Sequence, residues 1–168
     1  MDRRTFLAMT TLGSAVGTAG CVAGGRVVQE QQGSILVEPG RGWTYEITEV
    51  DGDGELSYTV RAEQRFDIYY FTSTGTYDHY RTFLGGDEPP ETPAGHSEFS
   101  RAGVHNEDRD LYVARVPEDG GRASISVADT HYFVVDYSNY GMGVPVEEHA
   151  DPLDAFVDLV VFDNSLPI

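Results

Sequence analysis

One set of oxygen donors with ligand-like spacing is Asp51-Gly52-Asp53-Gly54-Glu55, where Asp51, Asp53 and Glu55 alternate with glycine as ligands do in calcium loops. An EF-type loop needs glycine at its sixth position and a bidentate glutamate at its twelfth. Those positions hold Leu56 and Ala62, so the segment reads as a hairpin turn between two strands with no more than weak calcium affinity. Gly95-His96-Ser97-Glu98-Phe99 begins like a nucleophile elbow, but Phe99 replaces the second glycine, and the flanking strand and helix that such a turn requires are not predicted. The histidines at 79, 96, 105, 131 and 149 show neither His-x-His nor His-Glu-x-x-His spacing, which leaves no metal site and no cofactor to expect. Glu107, Asp108 and Asp110 could supply a glycosidase carboxylate pair, yet a chain with 28 acidic residues produces such clusters by chance. Tyr69, Tyr70, Tyr132 and Tyr140 could stack on sugars. Their alternation on predicted strands favours core and cross-strand packing instead.

One reactive group remains, and it is the single cysteine, Cys21. Ahead of it run Arg3-Arg4-Thr5-Phe6-Leu7, an apolar stretch from Ala8 to Thr18, and Ala19-Gly20. Arg3, Arg4, Phe6 and Leu7 resemble the core of the twin-arginine translocation signal. Thr18-Ala19-Gly20-Cys21 is similar to a lipobox, with Thr18 where leucine is usual. Asp2 and Ala8 depart from the commoner motif, which has Ser or Thr before the arginines and often a basic residue after Leu7. The apolar stretch contains Thr10, Thr11, Gly13, Ser14 and Gly17, too short and polar for a span of about 20 apolar residues. Residues 1–20 are therefore expected to be a cleaved signal peptide. Residues 21–33 are expected to be a lipidated N-terminus and flexible tether, and 34–168 the folded domain. Because one acyl chain gives only marginal membrane binding, the membrane contact through Cys21 calls for two chains or a second contact.

Charge narrows the setting. The chain carries 28 acidic and 11 basic residues, a net charge of −17, and every basic residue is arginine. With so acidic a composition no basic patch is expected to neutralise phosphates, which argues against nucleic acid as a partner. Self-repulsion at this charge density weakens a compact fold in dilute buffer and is screened at about 1 M salt. Acid excess without lysine resembles proteins of salt-loving archaea.

The folded span must bury its core without a disulfide. Trp43, Tyr45 and Ile47 alternate with polar residues, as do Leu56, Tyr58, Val60 and Ala62, the period of half-buried strands. Phe66-Asp67-Ile68-Tyr69-Tyr70-Phe71 is continuously apolar enough for a central strand, and Trp43 is expected to be largely buried. Tyr77, Tyr80, Phe83 and Leu84 fall at helical spacing after Thr74-Gly75-Thr76. Further strands are predicted near 34–37, 98–102, 111–116, 122–127, 132–137 and 155–162, separated by turn residues. Eight or nine strands and one short helix make an all-β antiparallel sandwich.

Phe66 to Phe71, the paired Tyr77 and Tyr80, and His131-Tyr132-Phe133-Val134-Val135-Asp136 followed by Asn139-Tyr140-Gly141 resemble a β-sandwich domain of haloarchaeal surface lipoproteins. That domain is similar in pattern to GOLD-like and pre-peptidase C-terminal domains. The resemblance implies a non-catalytic binding or accessory module at the cell surface, lipid-anchored outside the cytoplasm, with an unidentified surface protein or glycan as partner. A carbohydrate- or solute-binding lipoprotein is the alternative, and a small hydrolase the reading from another class.

Overall fold

The computed structural model describes residues 25–50, 52–118, 121–141, 146 and 151–165. Among them, ten strands form two antiparallel sheets. The larger sheet runs in the order β1 (Arg26–Val37), β10 (Leu153–Asp163), β3 (Gly52–Ala62), β7 (Leu111–Val116) and β6 (Val104–Asn106), with β8 (Ala123–Val127) also paired to β3. The smaller sheet has the order β2 (Arg41–Ile47), β9 (His131–Tyr137), β4 (Asp67–Phe71) and β5 (Arg101–Ala102). A helix, α1 (Thr74–Leu84), follows β4. The predicted all-β antiparallel sandwich with one short helix is the architecture found.

Alternation sorts the side chains. In β10, Leu153, Ala155, Val157, Leu159 and Val161 are buried while Asp154, Phe156 and Asp158 point the other way. Leu56, Tyr58, Val60 and Ala62 do the same in β3. These inner faces meet Ile68, Tyr70, Phe133, Val135 and Tyr137 of the smaller sheet in one core. β4 and β9 are buried throughout because the helix covers their other face. Tyr69, Phe71, Tyr132 and Val134 pack there against Tyr77, Tyr80, Phe83 and Tyr140, with Tyr77 stacked on Tyr132 at 4.0 Å between ring centres. Ser73 caps the helix, its hydroxyl accepting from the Thr76 N–H.

Four expectations need correcting. Residues 26–33, expected in the tether, are the first part of β1, which pairs with β10 from Arg26↔Asp163 to Val37↔Leu153. The Gln29 amide donates to the Glu46 carbonyl and accepts from the Thr48 and Glu49 N–H groups, tying the larger sheet to the end of β2. Polar composition hid this because an edge strand is satisfied by its ladder and needs apolar residues on one face only. Second, the segment around Asp53 is not a hairpin turn: β2 and β3 belong to different sheets, and Gly52 to Glu55 are already strand, paired to β8. Third, Trp43 is half-buried, stacked near Tyr45 at 6.1 Å, since β2 is an edge strand. Fourth, the strand expected over 98–102 shrinks to Arg101–Ala102, after a turn at 97–99.

Candidate functional site

The two sheets differ in what covers their outer faces. Helix α1 lies over the smaller sheet, while the outer face of the larger one carries a row of five residues in cross-strand register. Ser34 of β1 stands opposite Phe156 of β10, Phe156 opposite Arg61 of β3, Arg61 opposite Val113 of β7, and Val113 opposite Val104 of β6. Val104 is 71% exposed and Phe156 36%. The Arg61 guanidinium sits 5.9 Å from the centre of the Phe156 ring, a cation–π pairing that holds both side chains over the sheet.

Beside this row lies a groove of about 600 Å³ bordered by Arg61, Arg101, Arg109 and Arg115. The chain places nine arginines beyond residue 20, and four of them meet here. Register accounts for two: Thr59 faces Arg115 and Arg61 faces Val113, so Arg61 and Arg115 are diagonal neighbours, about 7–8 Å apart at the backbone. Arg101 comes from β5 of the other sheet, and Arg109 from the turn between β6 and β7. Two carboxylates, Asp108 and Glu118, also line the groove. Glu118 takes Arg101, 3.4 Å away, while Arg109 and Arg115 form no ion pair among the described residues. The groove is thus locally cationic in an acidic chain. The basic patch missing from the linear sequence is made by folding, because its members come from four separate elements.

A second cluster lies beneath the helix. In one register row of the smaller sheet, Gly42, Asp136, Asp67 and Ala102 stand opposite one another. Both aspartates are buried. The Tyr80 and Ser138 hydroxyls each donate to Asp136 Oδ1 at 2.7 Å, and the Tyr69 hydroxyl donates to Asp67 Oδ2 at 3.3 Å. Asp136 Oδ2 and Asp67 Oδ1 find no hydrogen-bond partner among the described residues. Burial pushes the Asp136 carboxyl up to about 6 against the pull of the Tyr80 and Ser138 hydrogen bonds, with the nearby Asp67 adding to the rise. Burial likewise raises Asp67, opposed by the Tyr69 hydrogen bond and the Arg65 charge. Burial and Asp136 raise the Tyr80 phenol, so it stays a donor. Gly42 makes room for this contact: a Cβ there would lie 2.0 Å from the Tyr80 hydroxyl. The cluster fastens α1 to the sheet and is closed to ligands.

The residues singled out by sequence fare unequally. Arg3, Arg4, Phe6, Leu7 and Cys21, together with Asp51 and His149, lie outside the described residues. Of the calcium candidates, Glu55 is engaged by Arg122 at 3.2 Å, and that guanidinium lies 3.5 Å over the Phe162 ring. Asp53 is exposed on β3, and no group of three or more His, Cys, Asp or Glu able to hold a metal occurs among the described residues. His96 and Phe99 belong to a turn that docks on β4, the His96 N–H donating to the Tyr70 carbonyl, with no helix after Ser97. His131 is packed, its Nδ1 2.7 Å from the Tyr70 hydroxyl. Glu107, Asp108 and Asp110 occupy the exposed turn before β7, where Asp110 lies 3.1 Å from His105. Tyr69, Tyr132 and Tyr140 are under the helix and Tyr70 is in the main core, so they offer no sugar platform. Reasoning from sequence missed the groove. Its one signal was the recurrence of Arg101, Arg109 and Arg115 within 15 residues of a chain poor in basic residues.

Comparison with known proteins adds no neighbour: no protein-family model, curated protein or solved structure matches the chain.

Proposed function

We propose that this protein is an extracytoplasmic, lipid-anchored binding module whose working surface is the outer face of its larger sheet. The observation that carries the reading is the convergence of Arg61, Arg101, Arg109 and Arg115 on one exposed groove of an acidic chain. Guanidinium groups grip anions by charge and by paired N–H donors, which is the chemistry of holding rather than of bond breaking. An exposed Phe156 and Val104 beside the groove add apolar contact. The export-type segment ending at Cys21 supports the location: a lipid there would tether the sandwich at the membrane surface, and no helix among the described residues is long and apolar enough to cross it.

The experiment has two readouts in full-length protein expressed in cells. Cys21→Ser should move the protein from the high-salt-washed membrane pellet to the soluble fraction while export continues. The released protein should rebind to cell envelopes, and Arg115→Glu should abolish rebinding while Asp78→Arg, on the exposed side of α1, leaves it intact. Retention of the Cys21→Ser protein in the pellet after a high-salt wash, which removes charge-based contacts, contradicts the anchor. Rebinding indifferent to Arg115→Glu contradicts the surface.

A further inference from the structure

We infer that the ligand of the arginine groove is an acidic glycan, a sugar chain bearing repeated carboxylates; the inference rests on the binding-surface reading above. Three features of the groove select that class. Its volume of about 600 Å³ falls in the range of small-ligand clefts, about 300–1,000 Å³, so it takes a few small units rather than a protein face. Its cationic groups are guanidiniums, whose flat forks match carboxylates two bonds at a time. Arg61 and Arg115 are diagonal on the sheet, so they meet successive anionic groups along a chain rather than one group together.

The uncharged lining fits the rest of such a ligand. Thr59 and Asn106 offer a hydroxyl and an amide to sugar hydroxyls, and Val104 and Val113 offer an apolar edge to ring C–H groups. Nucleic acid shares the negative charge but binds in single strands through aromatic stacking. No Phe, Tyr or Trp lines this groove among the described residues, and Phe156, next to it, already carries the Arg61 guanidinium over its ring. A net charge of −17 holds any anion off at long range, so affinity depends on the local arginines.

The test is calorimetric titration of the full-length protein, in mild detergent, with an oligogalacturonate, its methyl ester and a single-stranded oligonucleotide. The acid form should bind, and the ester and oligonucleotide should not. Arg109→Ala and Arg115→Ala should each weaken binding about tenfold or more, the value of a charged hydrogen-bonded contact. Arg81→Ala on α1 should change nothing, and circular dichroism should show all three variants folded, since these side chains are exposed. Equal binding of acid and ester, stronger binding of the oligonucleotide, or no binding of the acid form overturns the glycan assignment. So does indifference to both groove substitutions. The surface reading fails separately, if rebinding to envelopes ignores Arg115→Glu.

Discussion

Asp67 and Asp136 stand directly opposite each other on β4 and β9, both buried, each with one oxygen held by a tyrosine hydroxyl and the other without a partner among the described residues. Adjacent buried carboxylates resist double ionisation. This ties the packing of α1 to a proton.

The sign of the pH effect follows from the direction of the shift. Asp136 is raised to about 6 in the folded protein, against about 3.9 in an unfolded chain. Between those values the folded state binds more protons, so stability falls as pH rises from about 4 to about 6. The drop for this group is on the order of 2–3 kcal/mol. Asp136→Asn removes it. Urea midpoints of the two proteins, measured across that window, should converge or cross as pH rises. Parallel curves would show that Asp136 titrates normally.

The same cluster makes a packing prediction. Tyr80→Phe deletes one of two donors to Asp136 Oδ1 and leaves a buried acceptor weaker by one bond, at a cost of about 1–3 kcal/mol. Gly42→Ala forces a Cβ into the space of the Tyr80 hydroxyl and should cost a similar amount. In the double variant the losses should be less than additive, because Tyr80→Phe has already removed the clashing oxygen. Chemical denaturation of the four proteins in the cycle checks this.

β1 gives a truncation test. A protein beginning at Gly33 loses the part of β1 paired from Gln32↔Asp158 through Arg26↔Asp163, and with it the three Gln29 hydrogen bonds. The second half of β10 becomes an open edge, prone to pairing with other chains. Against a protein beginning at Gly25, the shorter one should melt earlier and self-associate. Equal melting temperatures and a monomeric profile for both would mean that residues 26–32 contribute no stability.

Salt dependence follows from composition. With a net charge of −17 and few ion pairs among the described residues, the melting temperature should climb with ionic strength as repulsion is screened. Half-burial of Trp43 makes its emission a modest reporter, so circular dichroism is the better probe. A melting temperature constant from about 0.05 to 2 M salt would contradict this account of the charge.

The architecture was legible in sequence where period and burial agree. Leu56 to Ala62 and the 153–163 segment alternate because one face is core and the other is not, and Tyr77, Tyr80 and Phe83 reveal the helix by spacing. Asp67 and Asp136 were visible only as acidic residues inside apolar strands. That they face each other depends on the register of β4 against β9, which local patterns leave open. The groove was illegible for the same reason. Arg61 lies 40 positions from Arg101 in sequence, and only the β3–β7 pairing and the arrival of β5 bring them together. Residues 26–33 misled because glutamines and a glycine look like a linker when the partner strand lies at the far end of the chain.

The most direct measurement asks which face of the sandwich touches its partner on living cells. A photoreactive residue placed at Val104, on the exposed outer face of the larger sheet, or at Asp78, on the exposed side of α1, is carried by the full-length protein and activated in place. Adducts from position 104 and none from 78 are the predicted result. Adducts from 78 alone, or equal yields from both positions, would contradict the assignment of the arginine-lined face as the binding surface.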